Sequence, residues 1–254
     1  MILIDTHAYN SKIRHLDPVQ KITFTATTMG VCLLANHFIV SLLVIMSTVF
    51  LIVNKVGTPV RYFVKLLALP MTFLTLGIAP IMMSVSTNKV SYSFSFLGLW
   101  VGFSKFGLIF AANLYAKTIG SVLCMYFLSL STPMVDLLVA LKRLRLPKLM
   151  VEIMELVYRF IFIFFDTAST IYTSQNCRCG YVDIVSKFKS IGSLISIVFI
   201  RAFKRSDDLY TALEVRGFNG DFNVISNDYE DNWKGYIFTF TFNIALLILA
   251  VGIR

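Results

Sequence analysis

From Ile22 to Asn54 the chain carries no Lys, Arg, Asp or Glu, a run of 33 residues. As one straight helix it would measure about 50 Å at 1.5 Å per residue, against a hydrocarbon core of about 30 Å. The run therefore predicts two short, tilted helices turning near Asn36 and His37, a hairpin that returns Lys21 and Lys55 to the same, cytoplasmic side. Leu66 to Asn88 is a further uncharged run of 23 residues, preceded by Arg61 and Lys65 and interrupted by Pro70 and Pro80. It predicts a third span, kinked where neighbouring helices can cover the carbonyls that the prolines free. Residues 90–104, VSYSFSFLGLWVGFS, are aromatic and Ser-rich with near alternation and suit an outer loop lodged at headgroup level. A fourth span returns between about Lys105 and Leu130 and contains Lys117, a cation expected to snorkel to a headgroup or meet a partner subunit.

The pattern changes at Ser131. From there to Lys234 basic residues concentrate, among them Lys142, Arg143, Arg145, Arg159, Arg178, Arg201 and Arg216, which places the stretch on the cytoplasmic side. Residues 132–148 predict an amphipathic helix with Thr132 as N-cap, Pro133 in the first helical position, and Leu137, Leu138, Leu141 and Leu144 on one face. Leu149 to Gln175 reads as a long helix at the inner interface. Ile191 to Ile200 reads as a short apolar segment and Arg201 to Gly217 as a separate polar helix. Gly235 to Ile253 is a final span of 19 uncharged residues, leaving Arg254 on the far side. The expected fold is all-α: a polytopic membrane protein with about five transmembrane helices and a cytoplasmic layer of amphipathic helices. Its parts are 1–130 with four spans, 131–234 in the cytoplasm, and 235–254, with the N-terminus cytoplasmic.

Composition agrees with the pattern, since 57% of the 254 residues are hydrophobic, 15% are charged, and mean hydropathy is +0.75. The formal charge of +9 is of the kind that sets topology in a membrane chain, so no nucleic-acid partner is expected. Cys32 and Cys124 lie in apolar runs, and Cys177 and Cys179 are too close for an ordinary bridge, so no disulfide framework follows. The first residues lack a signal-peptide pattern, because basic residues follow the apolar start and Asp5 and Asp17 interrupt it.

Two polar ends stand out. Arg178 lies two residues before Gly180 in SQNCRCGY, and Arg216 immediately before Gly217 in DDLYTALEVRGFNG. A lone cation near a helix C-terminus complements the macrodipole by about 0.3–1 kcal/mol. The same arrangement occurring twice suggests a two-point docking device, with Arg suited to bidentate carboxylate contacts.

These two segments, together with IDTHAYNSKIRHLDPVQK at residues 4–21 and STPMVDLLVALKRLRLPKLM at residues 131–150, carry a resemblance over essentially the whole chain. The sequence resembles the transmembrane T component of energy-coupling factor (ECF) transporters, a kind of ABC importer, in its cobalt/nickel class, the CbiQ and NikQ proteins. The resemblance implies two coupling helices that cross and end in Ala-Arg-Gly-like motifs inserted into grooves of two ATP-binding-cassette ATPase subunits. The second motif stands here as Val215-Arg216-Gly217, with Val for Ala, and the first as Cys177-Arg178-Cys179-Gly180, with one extra residue before glycine. It further implies an S component that binds the transported cobalt or nickel ion, with a small accessory membrane subunit in some systems. Leu137, Leu141, Leu144 and Lys117 are the candidate contacts to the S component or between coupling helices. ATP and Mg would be bound by the partner ATPase subunits, leaving no cofactor in this chain.

Other chemistries are less well supported. His7, His15 and His37 lack mutual ligand spacing, and Cys177 and Cys179 have no nearby His, so no metal site is expected. No GxxxxGK[ST] phosphate loop is present, so the chain is not itself the motor. Glu152, Glu155 and Asp166 could serve an intramembrane enzyme, but their spacing beside apolar runs is that of an amphipathic surface. A T component shared among several vitamin-specific S components is the nearer alternative.

Overall fold

A computed structural model describes residues 3–35, 37–86, 93–96, 99–103, 105–217 and 233–252. The element order is α1 (Leu3–Tyr9), α2 (Pro18–Leu34), α3 (Phe38–Phe50, continued by a π-helical turn Leu51–Val56), α4 (Val60–Met82), β1 (Met83–Ser86), β2 (Ser93–Phe96), β3 (Leu99–Phe103), α5 (Lys105–Ser131), α6 (Met134–Arg143), α7 (Lys148–Cys177), α8 (Ile184–Val215) and α9 (Trp233–Gly252). The fold is thus an all-α membrane architecture carrying one small sheet. The chain divides into two compact units, residues 1–140 with 228–254, and residues 141–227.

The first unit is built around α5, which packs against α1, α2, α3 and α4. The expected hairpin is present: α2 ends at Leu34, Ala35 turns to extended backbone (φ −73°, ψ 111°), and α3 begins at Phe38. Asn36 lies outside the described residues, as do Asn88, Ile253 and Arg254, where the expected third and final spans end. Far from the turn of the hairpin, Phe24, Ile52, Leu123 and Phe127 pack into one core, and close to the turn Val31, Cys32 and Val40 pack with Cys124 and Leu246 into another. Small residues line the crossing of α5: a Cβ on Gly120 would stand 3.0 Å from Cys32 Sγ and 3.7 Å from the Ser41 carbonyl oxygen. Close backbone approach of this kind is the usual packing mode of helices in lipid.

Phe38–Val56, Val60–Ile81 and Gly107–Ser131 are each long and apolar enough to cross a membrane, at 19, 22 and 25 residues, and Gly235–Ala250 is a shorter apolar helix. Both prolines of α4 are accommodated inside the helix. Pro70 cannot donate to the Leu66 carbonyl, and the Tyr126 hydroxyl of α5 donates to that oxygen at 3.2 Å. The freed carbonyl is thus covered by a neighbouring helix, as the proline pattern led one to expect.

The aromatic stretch departs from expectation. Its described residues form strands where a loop was expected, ordered β1-β3-β2 and antiparallel, with Met83 opposite Phe103 and Phe96 opposite Leu99. Alternation with period two is the strand signature, and here it gives paired strands in place of an irregular loop. Residues 90–92, 97, 98 and 104 of that stretch lie outside the described residues.

The second unit contains two long helices. α6 ends at Arg143, Arg145 takes a left-handed conformation (φ 61°), and Pro147 caps α7, so the expected helix 132–148 stops short and Leu144 falls past its end. α7 follows the expected Leu149–Gln175 closely. The segment Ile191–Ile200 and the helix Arg201–Gly217 are, in contrast, one continuous helix of 32 residues, α8. No Pro or Gly falls between Ser193 and Arg216, and a change from apolar to charged side chains does not interrupt backbone hydrogen bonding. Val151 and Ile171 are the buried residues of α7, and α8 buries none. Val185, Phe188, Phe199 and Phe203 stand more than two-thirds exposed, an apolar stripe left uncovered among the described residues.

Candidate coupling tips and a buried polar cluster

Both long helices end on an arginine. Arg178 is the C-cap of α7 (φ −94°, ψ 17°) and Arg216 the C-cap of α8 (φ −83°, ψ 6°), and both are exposed. Each is followed by a left-handed residue, Cys179 at φ 56° and Gly217 at φ 68°. At α7 the Cys179 amide donates to the Asn176 carbonyl (3.0 Å) and the Gly180 amide to the Gln175 carbonyl (2.9 Å), which together make a Schellman motif. At α8 the Gly217 amide donates to the Glu214 carbonyl at 3.0 Å.

The two glycines therefore serve different purposes. Gly217 supplies the left-handed backbone, since a Cβ there would meet nothing within 4 Å. At the α7 tip Cys179, and not a glycine, holds the left-handed position. Gly180 permits close approach, because a Cβ would lie 2.8 Å from Ser190 Oγ and 2.9 Å from the Gln175 carbonyl oxygen.

The α7 tip is braced against α8. Ser190 Oγ donates to the Gly180 carbonyl (2.7 Å), Gln175 Nε2 donates to the Ser190 carbonyl (3.1 Å), and the Tyr181 hydroxyl donates to Gln175 Oε1 (2.7 Å). Tyr181 also packs on Tyr172, with ring centroids 4.8 Å apart. These contacts fix the backbone from which Arg178 projects. A cleft of about 410 Å³ opens beside it, lined by Ser174, Gln175, Arg178, Ser193 and Arg201. Arg201 is a second guanidinium at this tip that sequence spacing did not single out. Arg216 lies 15 residues beyond Arg201, about 22 Å farther along α8, so the two arginine tips are well separated.

Of the other expected contacts, Leu137 and Leu141 are half-buried and Leu144 is 49% exposed. Their neighbours Asp136, Leu138 and Ala140 are the buried residues of α6. Lys117 is half-buried within α5, and its own carbonyl accepts from Ser121 Oγ at 3.0 Å. Glu155 and Asp166 stand 11 residues apart on α7, about 16 Å along its axis, so they do not converge on one point. Among the described residues no three His, Cys, Asp or Glu side chains group as metal ligands.

A polar cluster that spacing along the chain did not reveal lies at the base of α6. Lys21 is 4% exposed, and its ammonium donates to the carbonyls of Arg14 (3.4 Å) and Ser131 (3.2 Å). Asp136 is 2% exposed and pairs with Arg14, whose Nε lies 3.7 Å from Asp136 Oδ2. Asp17 accepts from the Val19 amide at 3.1 Å, capping α2, and from the Tyr236 hydroxyl of α9 at 3.0 Å. Buried charges persist where partners satisfy them, and these partners come from four parts of the chain. The cluster ties the N-terminal segment, the end of α5, the start of α6 and the start of α9 together.

The profile of the cobalt transport protein family CbiQ matches residues 9–225. The chain belongs to that family. Its relatives include an uncharacterized protein of Methanocaldococcus jannaschii, 26% identical over 248 residues that cover 98% of this chain and 92% of the relative. The cobalt transport protein CbiQ of Salmonella typhimurium is 28% identical over 160 residues, 62% of this chain and 71% of its own. The energy-coupling factor transporter transmembrane protein EcfT of Staphylococcus aureus is 28% identical over 244 residues, 89% of this chain and 86% of its own. This CbiQ-family chain is therefore a membrane-embedded transport component and not an enzyme. The matched region takes in both arginine tips and the polar cluster apart from Tyr236.

Proposed function

We propose that the chain is the T component of an ECF-type importer, coupling ATP hydrolysis by two ABC ATPase subunits to uptake of cobalt or nickel bound by an S component. The observation that carries this reading is the repeated tip geometry: an exposed arginine in the C-cap position at the end of each long helix, with Arg216 about 22 Å along α8 from the Arg201 that shares a cleft with Arg178. Two equivalent, separated cations suit a partner that is itself a pair of like subunits. Each guanidinium would meet an acidic groove residue, Arg178 with Arg201 beside it, and ATP-driven closure of the ATPase pair would move the tips. ATP and Mg belong to those subunits and the metal ion to the S component.

The uncovered apolar stripe of α8, with the half-buried Leu137 and Leu141, exposed Leu144 and half-buried Lys117, supplies contact surface for the S component. The cytoplasmic assignment of the basic region and of the N-terminus rests on the positive-inside rule. An accessory membrane subunit is compatible with the family and has no specific surface assigned to it. A vitamin-type shared T component is the second reading, favoured by the 89% coverage in the EcfT alignment. The metal reading is preferred because the family profile is that of a cobalt transporter.

The test is co-expression with the ATPase and S subunits. Arg178→Ala combined with Arg216→Ala should abolish ATPase co-purification while membrane insertion stays intact, each contact contributing about 2–5 kcal/mol of association. Unchanged co-purification would refute the coupling role. Uptake of radiolabelled cobalt or nickel by the reconstituted complex, against riboflavin as a vitamin control, separates the two readings.

A further inference from the structure

The first unit holds a groove of about 1080 Å³ bordered by α2, α3 and α9. Its walls are apolar along most of their length, with Phe24, Met46, Phe50, Phe238, Phe242 and Leu249 among them. The hydroxyls it contains, Ser47 and Thr239, are spent on the Val44 and Gly235 carbonyls of their own helices, at 3.0 and 2.9 Å. Other polar groups gather at one end, where Gln20, Lys21 and Lys55 meet the start of α9 at Gly235. That is the end at which the α2–α3 hairpin returns its lysines to the basic face of the membrane.

Dimensions narrow the class of occupant. From Gly235 to Leu249 the groove follows α9 for 14 residues, about 21 Å, which exceeds the half-thickness of about 15 Å of a bilayer's hydrocarbon core. An extended acyl chain fits a groove of this length and apolar lining.

The polar end narrows it further. Lys55 is exposed, and Lys21 uses two of its three ammonium donors on the Arg14 and Ser131 carbonyls. Gln20 Oε1 is buried and has no hydrogen-bond partner among the described residues. The exposed Lys55 cation, the third donor of Lys21, whose charge Asp136 and Asp17 already counter, and an unmet acceptor suit a headgroup that offers an anion together with hydroxyl donors. We propose that this groove is a binding site for an anionic glycerophospholipid of the cytoplasmic leaflet, its phosphate at Lys55 and Lys21, a headgroup hydroxyl on Gln20 Oε1, and an acyl chain along Phe50, Phe238 and Phe242. The lipid would fill the space between the α2–α3 hairpin and α9, and so support α9 where its own contacts are few.

The test uses the full chain reconstituted in nanodiscs of phosphatidylcholine with phosphatidylglycerol as the minor component, then re-extracted in mild detergent and weighed by native mass spectrometry. Phosphatidylglycerol should be retained well above its share of the membrane. Lys55→Gln should lower that preference by about five-fold, the effect of one surface lysine on an anionic lipid. Ala245→Trp, or Leu249→Trp should the first not fold, should fill the groove and remove retained lipid of either headgroup. Retention in proportion to membrane composition, or a preference untouched by Lys55→Gln, would overturn the anionic assignment. Retention unchanged in a folded groove-filling variant would overturn the site itself. In parallel, phosphatidylglycerol should raise the apparent unfolding temperature of the parent chain and not that of the tryptophan variant.

Discussion

Arg178 and Arg216 occupy the same position, the C-cap, of two consecutive helices, and each is followed by a residue in the left-handed region. Equivalence of backbone predicts equivalence of effect. In the assembled transporter, Arg178→Ala and Arg216→Ala should each weaken ATPase binding by a similar factor, read as the dissociation constant of the isolated ATPase pair. Lysine keeps the charge and loses the bidentate fork, so Arg216→Lys should fall between arginine and alanine. Equal affinities for the Lys and Arg chains would show that charge alone is recognised.

The left-handed residues predict opposite signs for substitutions at equivalent sites. Cys179 carries a Cβ penalty of about 1–2 kcal/mol in this conformation. Cys179→Gly removes it, less about 0.4–1 kcal/mol for the added freedom of the unfolded chain, and should stabilise the α7 tip. Gly217→Ala introduces the same penalty and should destabilise the α8 tip. Hydrogen exchange of the Cys179 or Gly217 amide, each bonded to a helix carbonyl, reads the two effects locally.

Much of the membrane part was legible because a bilayer imposes a length on apolar runs: 33 uncharged residues had to turn, and one helix ends at Leu34 and the next begins at Phe38. The break between α6 and α7 was partly legible in Pro147, although Arg145, a residue that rarely takes positive φ, completes the turn. The continuity of α8 was not, because a change from apolar to charged side chains marks a change of environment and leaves the backbone helical. Arg201 was read as the start of a helix and so was not associated with Arg178, with which it lines a cleft. The pairing of Arg14 with Asp136 joins residues 122 apart, a separation at which no local period survives. A hint was available in retrospect: Asp136 stands amid the apolar residues of α6, where a carboxylate needs a cation.

That cluster supplies a stability prediction. Lys21→Met keeps the length of the stem but leaves the Arg14 and Ser131 carbonyls without their ammonium donor and takes a cation from beside Asp136. Breaking a buried ionic arrangement by removing one partner costs about 3–5 kcal/mol. The apparent unfolding temperature in detergent should fall substantially. Lys21→Arg should cost less, since it retains charge and donors. A Lys21→Met chain as stable as the parent would mean that water replaces the ammonium.

The contact between Tyr126 and the Leu66 carbonyl predicts a dependence on Pro70 that a double-mutant cycle can isolate. Tyr126→Phe removes one hydroxyl that donates at 3.2 Å and leaves the ring packing in place. In the parent chain the Leu66 oxygen then loses its cover, because proline at position 70 has no N–H, and the cost should be about 1–3 kcal/mol. Pro70→Ala restores the helix's own donor to that oxygen. In the Pro70→Ala background, Tyr126→Phe should therefore cost little. The coupling between the two changes should exceed the few tenths of a kcal/mol expected for independent sites. Additive unfolding free energies would show that the hydroxyl matters for some other contact and that α4 meets the loss at Pro70 by itself.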